Sequence, residues 1–169
     1  MTYPPILSRR AWNTALALTV VVIGACHDRQ ATVPGAVRDE PRAVVPQLSV
    51  KRDGAYATVT VSASLRGDIG LLGSFTARLA FDTTALTFEG EMPVGDGTLR
   101  AFNAKSGLLR IAGAGATGID PARLAVFRFA VSDASALGRL TLQFDELHAT
   151  SQADAAKFVQ RTANIRMVP

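Results

Sequence analysis

Four groups of residues in this 169-residue chain have types and spacings that bear on chemistry. Cys26 is the sole cysteine, so it cannot form an internal disulfide. It follows Val21-Val22-Ile23-Gly24-Ala25 and precedes His27-Asp28-Arg29-Gln30, a setting no apolar core accepts. Gly113-Ala114-Gly115-Ala116-Thr117-Gly118 has the G-x-G-x-x-G spacing that cradles a pyrophosphate when a strand leads in and a helix leads out. A strand-like Leu108-Leu109-Arg110-Ile111 precedes it, and Asp133 stands at the distance of a ribose-binding acid. Only a short stretch containing Pro121 separates Gly118 from the next strand-like run at Leu124, so no helix fits. The glycines therefore read as a loop or irregular strand edge with close backbone approach, and nucleotide binding is not expected. Asp82, Asp145 and Glu146 are carboxylates of the kind that cleave glycosides in pairs. Asp82, however, closes a strand into a turn, where Asp bonds its own backbone, and Asp145-Glu146 reads as a solvated strand exit. The two histidines, His27 and His148, fall in a linker and at a strand end, and no G-x-S-x-G is present. With no nucleophile–base pair and no metal set, the expectation is a protein that is not an enzyme and has no cofactor. Asp68 and Asp96 offer loop oxygens, but not the dense acidic spacing of a calcium site.

The elements that position these residues begin with an apolar N-terminus. Arg9 and Arg10 precede Ala15–Ile23, which is free of charge, and small residues Gly24 and Ala25 follow. This is the pattern of a secretory signal, too short between its charged flanks for a comfortable membrane span. Ile23-Gly24-Ala25-Cys26 resembles the bacterial lipoprotein lipobox. The resemblance implies a signal peptide over residues 1–25, cleavage before Cys26, and a diacylglyceryl group on its sulfur. Several acyl chains anchor firmly where one does so only marginally. With His27 in place of Asp after the cysteine, the resemblance points to the outer membrane or cell surface.

Residues 26–46 contain Pro34, Pro41, Pro46 and Gly35 among mixed charges, with no period of 2 or 3.6. They read as an extended, disordered tether. The formal net charge is +4, and Arg9 and Arg10 account for two of those charges. From Cys26 onward the chain is nearly neutral and its arginines are scattered singly, so no nucleic-acid footprint is formed.

From Leu48 the pattern has period two. Val59, Val61, Ala63 and Leu65 alternate with Thr58, Thr60, Ser62 and Ser64. Phe75, Ala77, Leu79 and Phe81 form a second inward set, with Thr76 and Arg78 outward. Phe127, Phe129 and Val131 form a third, Leu140, Leu142 and Phe144 a fourth, and Ile165 with Met167 marks a closing strand. Turn signals at Asp53-Gly54, Gly67-Asp68, Gly95-Asp96-Gly97 and Ser106-Gly107 separate them. Many short strands at this spacing predict an all-β sandwich or jelly roll over residues 47–169, with a short helix only in Ser151–Val159. Its size needs neither disulfide nor metal.

The stretch Gly73–Phe88, GSFTARLAFDTTALTF, resembles a cohesin-type module. Its features are an alternating strand that ends in Phe81-Asp82, a turn, and a strand start at Leu86 and Phe88. The resemblance continues through LLRIAGAGATGI and LAVFRFAV and covers about residues 47–168. It implies a nine-stranded jelly-roll β-sandwich that grips a protein partner, with carbohydrate binding as the alternative found in related sandwiches. A third reading is a structural envelope lipoprotein with no ligand. Sugar platforms use Trp or Tyr, and Tyr56 is the one such residue after the signal segment. In cohesin-type modules one sheet face meets the partner, and its strands would correspond to 73–81, 98–104, 107–114 and 138–145. Alternation places Thr76, Arg78, Arg100, Arg110, Arg139, Thr141 and Gln143 outward on them. Arginines on one face suit carboxylates of an acidic protein surface or an anionic glycan. The expectation is a monomer whose contact with the membrane is through the lipid alone.

Overall fold

The computed structural model of the chain describes residues 42–150, 155–160 and 163–169. The expected signal peptide, the lipobox with Cys26, and most of the tether lie outside the described residues. Nine strands form: β1 (Ala43–Asp53), β2 (Tyr56–Arg66), β3 (Leu72–Ala80), β4 (Leu86–Glu91), β5 (Leu99–Lys105), β6 (Leu108–Ile119), β7 (Ala125–Val131), β8 (Thr141–Ala149) and β9 (Asn164–Val168). They build a five-stranded sheet in the order β4-β7-β2-β1-β9 and a four-stranded sheet in the order β5-β6-β3-β8. The pairings are antiparallel except β1 with β9. This is the expected nine-stranded sandwich.

The inward residues of the two sheets merge into one core. Val59 and Val61 of β2, Phe75 and Leu79 of β3, Phe127 and Phe129 of β7, and Leu142 of β8 are all buried within it. Aromatic rings link the layers at one side. The Phe88 ring lies 5.8 Å from Phe127, 5.6 Å from Phe129 and 5.7 Å from Phe102 across the sheets. The edge-on and tilted arrangements are those that aromatic quadrupoles favour.

Three features depart from the sequence expectation. β1 begins at Ala43, so the last residues assigned to the tether belong to the sandwich, and Val44 is fully buried. Short 3₁₀ turns form at Pro121–Arg123 and Ala134–Arg139 as well as at Ala156–Phe158. Their caps are local: Asp120 and Asp133 accept from the Ala122 and Ser135 amides. The glycine run Gly113–Gly118 is neither loop nor edge but the second half of the 12-residue strand β6, a central strand of its sheet. The chain leaves it into the Pro121–Arg123 turn and then β7, and no helix follows the glycines.

Candidate recognition face

The Ser106-Gly107 turn sets the register of the candidate face. Both residues adopt positive φ, 51° and 78°, which matches the right-handed twist of a two-residue hairpin. Lys105 therefore pairs with Leu108, Asn103 with Arg110 and Ala101 with Ala112. Carried across the sheet, the pairings form rows on its outer side. One row is Asn103–Arg110–Arg78–Gln143, and the next is Ala101–Ala112–Thr76–Glu146. Lys105–Leu108–Ala80–Thr141 lies on the other flank. The face is thus bordered by charge and floored by small side chains.

The pairing of β3 with β8 shifts between Thr76 and Ala77, so Asp145 is the extra residue of a bulge. A bulge re-aims a side chain, and here it turns Asp145 toward Arg78. Arg78 Nε donates to Asp145 Oδ1 at 2.9 Å. The Arg78 side chain is 41% exposed, and an ion pair of that exposure adds under about 1 kcal/mol. Arg110, one strand away, forms no ion pair among the described residues. Between these charges lies a shallow depression of about 470 Å³, lined by Thr76, Ala101, Asn103, Arg110, Asp145 and Glu146. It adjoins a second of about 300 Å³ reaching Ser74, Ala114 and Leu99, whose side of the face is open to solvent.

The expected site residues divide. Thr76, Arg78, Arg110, Thr141 and Gln143 stand on the outer side. Arg100 does not. It pairs with Gly113, whose bare Cα faces the buried Phe75 ring, so Arg100 lies on the inner side of the edge strand β5. Its side chain is only 8% exposed. The burial is compensated: Nη1 and Nη2 donate to the Asp96 carboxylate at 2.8 and 2.6 Å, and Nε donates to the Leu124 carbonyl. Hydrogen bonding from Arg100 is the main reason the Asp96 carboxyl sits well below the usual carboxylate range. The pair ties the Gly95–Gly97 loop to the start of β7. Arg139 is not on the sheet either. It ends the Ala134–Arg139 turn ahead of β8, which starts at Thr141 rather than 138. There it reaches Ser135 at 2.9 Å and Asp82 at 3.3 Å.

The carboxylates behave as local fasteners. Asp82 Oδ1 accepts from the Thr84 amide at 3.0 Å and its hydroxyl at 2.6 Å. The Thr84 bonds, and after them Arg139, lower its pKa. The Ser135 hydroxyl and amide do the same for Asp133. Asp145 and Glu146 lie inside β8 rather than at its exit, and Glu146 faces the depression. Among the described residues no group of three or more His, Cys, Asp or Glu side chains is placed to hold a metal. The Arg128 guanidinium stacks on one face of the Tyr56 ring, 4.0 Å from its centroid.

Sequence reasoning missed Asn103, Ala101 and Ala112, and it named Glu146 as a carboxylate without placing it on this face. The Ser106-Gly107 signal carries the register that places the first three. Nothing in the sequence marks the bulge that places Glu146.

No family model matches the chain, and no curated protein sequence matches it. Solved structures do. A non-cellulosomal cohesin from the hyperthermophilic archaeon Archaeoglobus fulgidus has a TM-score of 0.53 at 18% identity, over 76% of this chain and 91% of that one. The sixth cohesin of scaffoldin B from Acetivibrio cellulolyticus, solved with a dockerin, has a TM-score of 0.52 at 15% identity, over 73% of this chain and 99% of the cohesin. The likeness is one of fold.

Proposed function

We propose that this cohesin-fold domain is a non-enzymatic recognition module for a protein partner, held at a bacterial envelope membrane by acyl chains on Cys26. The observation that carries the reading is the outer face of the β5-β6-β3-β8 sheet. It combines a floor of Ala101, Ala112 and Thr76 with an apolar Leu99, 78% exposed, an Arg110 without an ion-pair partner among the described residues, and the Glu146 carboxylate. Small residues let a partner's backbone come close, and a charge of each sign at the rim sets its orientation. The cohesin fold supports a protein as the ligand, since the Acetivibrio cohesin was solved with one. A fold hosts several functions, so the face must carry the argument.

Two outcomes follow. Arg110→Glu with Ala112→Glu reverses the charge and fills the floor without touching the core. We expect it to lower co-isolation of the partner from envelope fractions at least tenfold, since a buried charge mismatch costs several kcal/mol. Unchanged co-isolation of every envelope protein rejects the face. Separately, Cys26→Ser is expected to release the chain from membranes or to leave its precursor uncut. A variant that is processed and membrane-bound as before rejects the lipid anchor.

A further inference from the structure

Among the described residues the sandwich has four edge strands, and three of them are protected. β4 is broken by a shift between Phe88 and Gly90. β8 carries the Asp145 bulge together with Glu146 and His148. β9 is five residues long and bears Arg166. Bulges, charges and shortness are the usual means by which proteins stop edge-to-edge pairing. β5, Leu99-Arg100-Ala101-Phe102-Asn103-Ala104-Lys105, is less defended: it has no bulge, and of its two charges Arg100 is turned inward onto its own Asp96. It pairs with β6 over its whole length without a shift and contains no proline, and its one basic residue turned outward, Lys105, is at the end. Leu99 is 78% exposed and Phe102 44%.

The free side of β5 has a definite pattern. A two-residue hairpin makes Lys105 and Leu108 a hydrogen-bonded pair, and such pairs alternate along the strands. Asn103 and Ala101 therefore spend their backbone groups on β6. The N–H and C=O groups of Arg100, Phe102 and Ala104 point away from it, and among the described residues they meet no other strand. Phe102 is the middle residue of the strand. A two-fold axis beside it thus pairs every free group: Phe102 with Phe102, and Arg100 with Ala104 in both directions.

We infer that β5 pairs antiparallel with β5 of a second copy of this chain, in place of the monomer expected from the sequence. The second copy is favoured over another strand because the edge is self-complementary. Side chains agree with the backbone. The two Phe102 rings meet on the inner side, extending the Phe88–Phe102–Phe127 cluster. Lys105 lays its apolar stem over Leu99 of the other copy. No like charges oppose: the two Arg100 positions stand about 13 Å apart along the strands, beyond the screening length of about 8 Å. Each Arg100 is also neutralised by its own Asp96. The product is a continuous sheet of order β8-β3-β6-β5-β5-β6-β3-β8. It doubles the outer face proposed above and would give a bivalent surface.

Disulfide trapping in the full chain tests the register. Ala101 and Asn103 of opposite copies form a non-hydrogen-bonded pair with Cα atoms about 4.5 Å apart, within disulfide reach. Ala101→Cys with Asn103→Cys is expected to yield a covalent dimer of the chain under mild oxidation, and Ala101→Cys alone is expected to yield little. Ala104→Pro removes one free N–H while leaving the β6 ladder intact. In detergent, sedimentation is expected to give a dimer for the native chain and a monomer for Ala104→Pro, with the same far-ultraviolet circular dichroism for both. A native chain that sediments as a monomer and gives no trapped dimer overturns the inference. So does a dimer that Ala104→Pro leaves intact, or trapping of a different protein in place of the second copy. None of these outcomes depends on the lipid anchor or on the partner.

Discussion

Phe127→Ala is expected to lower the unfolding free energy by about 4 kcal/mol. Phe127 is fully buried in the middle of β7, which lies between β2 and β4. Its ring meets Phe88 of its own sheet at 5.8 Å and Phe102 of the other sheet at 6.2 Å. Truncation removes the transfer energy of a whole ring and leaves a cavity between two hydrogen-bonded sheets that cannot close around it. A domain of this kind has roughly 5–15 kcal/mol in total, so the variant is at or near the threshold of folding. Phe102→Ala, on a half-exposed edge, should cost about 1 kcal/mol, within the range for partly buried apolar groups. Urea unfolding of the two variants, followed by far-ultraviolet circular dichroism, measures the difference. Equal midpoints would show that the aromatic cluster is not the link between the sheets.

Gly113→Ala is expected to destabilise by about 2–3 kcal/mol, opposite in sign to the usual effect of replacing a strand glycine. A Cβ at Gly113 falls 2.3 Å from Phe75 Cε1 and 2.9 Å from Cζ. The Phe75 ring is 1% exposed and stands edge-on to Phe144 with centroids 6.2 Å apart, so it has nowhere to move. β6 must therefore bow away from β3, and the rows that build the outer face lose their register. At Gly138 a Cβ meets nothing within 4 Å, and Gly138→Ala should stay within about 0.5 kcal/mol. Thermal unfolding reads both: a fall of roughly 6–12 °C for the first and little change for the second. A Gly113→Ala domain as stable as the native one would mean that the small residue serves something other than packing against Phe75.

These two residues show what the sequence displays and what it conceals. Phe127 was legible because half-buried strands repeat every second residue, and Phe127, Phe129 and Val131 do so cleanly. The same rule found Phe75, Leu79, Leu142 and the fold class. It failed where charge was taken as a sign of solvent. Arg100 sits inside because Asp96 and the Leu124 carbonyl satisfy it, and neither is near it in the alternation pattern. Gly113 reads as a loop or irregular strand edge because glycine weakens strands, whereas it lies within the central strand β6 and its lack of a side chain admits the Phe75 ring. Pro46 was read as tether for a similar reason. It stands opposite Ala63, and β9 pairs with β1 only from Gln47 onward, so the proline takes a side of β1 without a ladder bond. Arg139 was misplaced because a 3₁₀ turn has no period to betray it. Asp145 depends on a bulge, which arises from two strands together and is not written in either one. Asp82 was correctly read as a turn fastener, since its bonds to Thr84 are local in sequence.

The central claim is that the outer side of the β5-β6-β3-β8 sheet is where a protein partner binds. Site-specific photo-cross-linking in intact cells tests it most directly, with the photoreactive residue at Thr76 or Gln143 on that face, or at exposed Lys51 on the five-stranded sheet. The prediction is one adduct of defined mass from Thr76 and Gln143 that is absent from Lys51. Adducts from Lys51 alone, or the same adduct from all three positions, would contradict it.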